Sequence, residues 1–95
     1  MIIGACRVRL YLPGCSSLKE KRSRLKPLLA RLPREFNVSV AEVGLHDVWQ
    51  SAEIALVTVV NGEAGLAHAS LEAMVRWIEH HAPEAEVVAA PIELR

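Results

Sequence analysis

Seven of the chain's eleven Lys and Arg residues lie between Lys19 and Arg34. Six of these, Lys19, Lys21, Arg22, Lys26, Arg31 and Arg34, are the candidates for phosphate contact. Cations repeated along a helix neutralise a phosphate backbone without reading bases, so binding through them would be salt-sensitive and weakly sequence-selective. Residues 17–35 carry seven positive and two negative charges, a local +5; the rest carries four positive and nine negative, a local −5. The formal total is zero, which hides a strongly dipolar distribution that suggests an anionic partner. A solvated helix face balanced by acids on neighbouring elements is the plainer alternative.

Other groups offer less chemistry. The loop Pro13-Gly14-Cys15-Ser16-Ser17 precedes a helix start, where free amides and the helix dipole favour anions. Small acylphosphatases place such a loop on a similar fold, but theirs needs a run of glycines and a following Arg, which this chain lacks. No His or acid is placed by sequence to activate Cys15, which reads as an ordinary loop thiol. His68 and Glu72, four apart on a helix, are either two metal ligands or a surface pair. Adjacent His80 and His81 point about 100° apart and complement a helix C-terminus. We assign no catalytic residue, no metal, no cofactor and no small-molecule substrate.

The elements that carry these groups follow from periodicity. From Ile2 to Leu12 the even positions Ile2, Gly4, Cys6, Val8, Leu10 and Leu12 are apolar or small, and the odd positions include Arg7, Arg9 and Tyr11, the alternation of a strand. Ser17 with Glu20 fits a capping box. Leu18, Leu25, Leu28, Leu29 and Leu32 form the stripe of an amphipathic helix expected to run to about Leu32, with Pro33 ending it. Lys21 falls on that stripe, as a snorkelling stem or as a cation aimed over the sheet edge towards a bound anion. Phe36–Val43 and Ala52–Val60 read as strands, the latter apolar on both sides and therefore central. Ala64 to Ala82 carries a second apolar stripe, with Trp77 off it as a flank packed against the first helix. Glu86–Leu94 reads as a last strand, with Pro91 marking a sheet edge.

The order βαββαβ predicts a single α+β domain over residues 1–95. It is a ferredoxin-like plait, with two helices on one face of a four-stranded antiparallel sheet in order 4-1-3-2. The other face is left open, with Arg7, Arg9 and Tyr11 on it beside an apolar row of the third strand that includes Val57 and Val59. An apolar centre with charged flanks is an interaction surface, so we expect a homodimer through this face or a sheet edge. Tyr11 alone could stack a base there, which argues against RNA recognition by the sheet itself. Trp49, in the connection Asp47-Val48-Trp49-Gln50, either folds over a sheet end or is an interface contact.

The apolar fraction of 52% and charged fraction of 23% mark a globular chain. Cys6 and Cys15 lack metal spacing, and with no secretory signal they read as reduced thiols in the cytoplasm. No apolar run approaches the roughly 20 residues of a membrane span.

Four stretches carry a resemblance over nearly the whole chain. They are Met1-Ile2-Ile3-Gly4, Ser17-Leu18-Lys19-Glu20-Lys21-Arg22, Phe36-Asn37-Val38-Ser39-Val40-Ala41-Glu42-Val43 and Asp47-Val48-Trp49-Gln50. In these the sequence resembles the YlxP-like family of small bacterial proteins of unknown function. The resemblance implies a ferredoxin-like fold. It also implies an indirect link to translation, because the family's genes often lie beside those for translation initiation and ribosome maturation factors. It assigns no activity, ligand or site residue. The expectation is a non-enzymatic module that binds ribosomal RNA or the ribosome through its first helix. The alternative is a homodimeric protein-interaction domain with no nucleic-acid role.

Overall fold

The computed structural model describes residues 1–95. Its elements are β1 (Ile2–Tyr11), α1 (Leu18–Glu35), β2 (Ser39–Gly44), β3 (Ser51–Val60), α2 (Ala64–His81), β4 (Glu86–Ala89) and β5 (Ile92–Leu94). The strands make one antiparallel sheet in the order β2-β3-β1-β4, and β5 pairs with β1 on the same edge as β4. This is the expected ferredoxin-like order, with the last strand divided in two.

The even side of β1 and β3 faces the helices. Cys6, Val8 and Leu10 are buried there beside Ala52, Ile54 and Leu56. Leu25, Leu28 and Leu32 of α1 and Leu71, Met74 and Ile78 of α2 complete the core. Removing each such side chain from water is worth about 1.5–3 kcal/mol, so this layer carries most of the fold's stability. Gly4 is buried in β1 because α2 crosses close above it. A Cβ there would lie 2.9 Å from Leu71 Cδ1. Thr58, buried on the same side, donates from Oγ1 to Asn37 O at 2.6 Å and so leaves no unpaired hydroxyl.

Two expectations are corrected in detail. α1 continues through Pro33 to Glu35, ending where Phe36 N–H donates to Leu32 O. A proline in the last turn removes one hydrogen bond where few remain to be lost, so it does not terminate the helix. The last strand breaks at Ala90-Pro91, because Pro91 has no N–H for the ladder, and separately bulges at Val88, between the partners of Arg9 and Leu10. Cys15, read as an ordinary loop thiol, lies in the loop and is buried: the turn after Pro13, with Gly14 at φ 74°, folds the loop inward onto the core. Cys6 is buried as well, and desolvation raises its thiol pKa.

Candidate functional site

The start of α1 is closed by its own side chains. Ser17 Oγ accepts from Glu20 N at 3.0 Å. Glu20 Oε2 in turn accepts from Ser16 N at 2.9 Å and from Ser16 Oγ at 3.0 Å. The reciprocal bond expected at Ser17 is thus made one residue earlier. The Ser16 bonds, then Arg24, hold the Glu20 carboxyl below the usual carboxylate range. Arg24, which sequence reasoning did not single out, pairs with Glu20 Oε1 at 3.0 Å and donates to Pro13 O at 3.1 Å. A carboxylate of the chain itself occupies the position an anion would take at this helix start.

Lys21 is not a phosphate contact. It is 2% exposed. Its Nζ donates to Leu45 O at 2.6 Å and to Val48 O at 2.9 Å. Glu42 Oε2 lies 3.0 Å from the same nitrogen. That distance neutralises the charge, although Glu42 Oε2 has no aligned hydrogen bond. A cation with every direction taken inside the protein cannot reach a ligand. Its role is to tie α1 to the β2–β3 connection. Leu45 there stands at φ 57°, a conformation that costs a side-chain-bearing residue about 1–2 kcal/mol. The bond to its carbonyl helps to hold it.

The remaining cations divide between two flanks of α1. Lys19, Arg22 and Lys26 are exposed, engage in no ion pair, and share one ridge by their i, i+3, i+7 spacing. Seven residues of helix separate Lys19 from Lys26 by about 10 Å. Arg34 is exposed in the last turn, where it also complements the helix dipole. Arg31 belongs to the other flank. Its guanidinium lies 5.1 Å from the Trp77 ring centroid.

That second flank borders a groove of about 260 Å³ between α1 and α2, floored by Leu12, Leu25 and Leu28. It is smaller than the roughly 300–1,000 Å³ of ordinary ligand pockets. Both of its arginines are already engaged. Trp77 packs edge-on to Phe36 and stacks on His81 at 4.2 Å between centroids. The expected contact of Trp77 with the first helix is therefore made through Arg31, and the groove is a packed seam. On the outer side of α2, His68 Nδ1 lies 3.1 Å from Glu72 Oε1, an exposed side-chain pair.

The sheet face away from the helices carries the second candidate surface. Arg7, Arg9, Tyr11, Val57 and Val59 are all exposed on it. Register sets Ile3 against Val59, Ala5 against Val57 and Arg7 against Ala55. Glu53 stands opposite Arg9 and binds it at 3.1 Å, a pairing that needs the register to be known. Trp49 does not fold over the sheet end. It is 52% exposed, next to exposed Val48, on a segment tied at both ends: Lys21 holds the carbonyls of Leu45 and Val48, and Leu12 N donates to Gln50 O at 2.8 Å.

Comparison with known proteins adds the family but no chemistry. A de novo designed protein, Foldit4, matches with a TM-score of 0.49 and 14% identity, covering 99% of this chain and 94% of its own. The uncharacterised protein YlxP of Bacillus subtilis (strain 168) is 38% identical over 58 residues, which is 61% of this chain and 63% of that protein. The match thus spans less than two thirds of the relative's length. The family profile described as "Protein of unknown function (DUF503)" matches residues 3–92. A match over nearly the whole chain makes it a member of the DUF503 family.

Proposed function

We propose that the chain is a non-enzymatic module that binds the phosphate backbone of RNA, ribosomal RNA in the first instance, along the exposed ridge of α1. The observation that carries this reading is the set Lys19, Arg22 and Lys26, three exposed cations on one ridge with no acidic partner. Free cations at this spacing present their full field to a polyanion. Arg34 extends the same field towards the helix end. Arg31 and Lys21 fall outside the ridge, the first stacked on Trp77 and the second buried.

Three phosphate contacts to single-stranded RNA give a slope of about −2 for log affinity against log salt, and so a loss of about 20-fold between 50 and 200 mM salt. The test is filter binding of ribosomal RNA across that range. Lys19→Glu with Arg22→Glu should flatten the slope by more than half. RNA binding absent at 50 mM salt, or a slope unchanged in the double variant, overturns the reading.

A further inference from the structure

We propose that two copies of this chain associate face to face through the open side of the sheet, leaving both α1 ridges on the outside. The face is large enough. Four strands at about 4.8 Å spacing and ten residues of β1 at about 3.3 Å give roughly 600 Å² of plan area, and side chains raise the accessible area further. A standard stable interface takes about 800 Å² per partner.

Its composition fits a second copy better than a polyanion. Ile3, Ala5, Ala55, Val57 and Val59 form a contiguous apolar centre on β1 and β3. Opposite β1 on the other edge, register brings Glu86 beside Tyr11 and Glu93 beside Ala5, and Arg95 exchanges both backbone hydrogen bonds with Ile3. The charges on this face are thus Arg7, Arg9 and Arg95 against Glu53, Glu86 and Glu93, three of each sign. A face that is neutral overall meets its own copy without net repulsion, whereas two α1 ridges brought together would repel.

The sheet edges are the competing route to a dimer, and both are poor. β2 shifts register between Glu42 and Gly44, and the β4–β5 edge is broken at Pro91. Bulges and prolines at edges disfavour strand addition. The open face has no such device. It also displays exposed Val57 (39%) and Val59 (48%) next to the centre line of the sheet.

The inference does not depend on RNA binding and is tested apart from it. Sedimentation velocity on the full chain from about 1 to 100 µM should show a dimer. Val59→Glu and, separately, Val57→Glu should weaken association at least about a hundredfold by placing an unpaired charge in the apolar centre. Both positions are exposed in the single chain, so each variant should keep its circular dichroism melt, and Arg7→Glu provides a third probe if either fails to fold. Lys19→Glu with Arg22→Glu should leave the dimer intact. A monomer at every concentration, a dimer that survives both valine variants in folded form, or a dimer broken by the α1 variant overturns the proposal.

Discussion

Replacing Lys21 by Met should unfold much of the molecule's stability margin while leaving any phosphate contact untouched. Methionine keeps the length of the aliphatic stem and removes the ammonium. Leu45 O and Val48 O, at 2.6 and 2.9 Å, then lose their donor, and Glu42 Oε2, at 3.0 Å, loses its counter-charge. Removing one partner of a buried charge pair costs about 3–5 kcal/mol. The Glu42 side chain keeps 21% exposure, so partial hydration of the orphaned carboxylate places the expectation near the lower end, about 3 kcal/mol. For a domain whose total stability is about 5–15 kcal/mol, that is a large share. At about 4–8 °C per kcal/mol for chains of this size, the melting temperature should fall by roughly 12–24 °C. Urea unfolding followed by far-ultraviolet circular dichroism measures it directly. Glu42→Gln alone and the double variant close a cycle, in which the double change should cost clearly less than the sum of the two. The salt slope for RNA binding should be unchanged in folded Lys21→Met. A loss of stability under about 1 kcal/mol, or a slope lowered as much as by removing Arg22, would refute the structural role assigned here.

Two further outcomes follow from the packing and capping. Gly4→Ala should destabilise by about 1–3 kcal/mol, because its Cβ meets Leu71 Cδ1 at 2.9 Å in a fully buried site. The same change in a Leu71→Ala background should cost measurably less, read by the urea midpoints of the four variants. Glu20, whose folded pKa is depressed by Ser16 and then Arg24, contributes stability that is present above the ordinary carboxylate range and is lost as pH falls through its folded value. The melting temperature of Glu20→Gln should therefore lie below that of the unaltered chain at pH 7, and the gap should narrow progressively below about pH 4. A gap of equal size at pH 3 and pH 7 contradicts this.

What could be read from the sequence was whatever a period encodes. The alternation of Ile2 to Leu12, the leucine stripe of α1 and the stripe of α2 each announce one face, and the order of elements then leaves one sheet side bare. Exposure of Arg7, Arg9, Tyr11, Val57 and Val59 follows from that parity alone. Lys21 shows the limit. Its placement on the apolar stripe was visible, but its partners are backbone carbonyls 24 and 27 residues downstream, and no residue type advertises a carbonyl. Its counter-charge Glu42 stands on the helix side of β2, opposite Ile54, a placement that follows from strand parity. The distinction between Arg31 and its neighbours was likewise illegible, because it depends on where Trp77 of a different helix comes to rest. The burial of Cys15 was not legible, since a short loop gives no periodicity from which burial can be inferred.

The position of β1 has a consequence for how the chain acquires its structure during synthesis. This strand is made before all of its partners, yet it pairs with β3 on one side and with β4 and β5 on the other. β4 and β5 are made only after α2. At about 5–20 residues per second, the stretch between Val60 and Glu86 takes at least about a second to synthesise. During that interval β1 has one edge without a ladder partner, and α2 can cover the sheet before the sheet is complete. Completion of the sheet therefore waits for translation of β4 and β5, and a stall before them leaves the β1 edge available to strands of other chains.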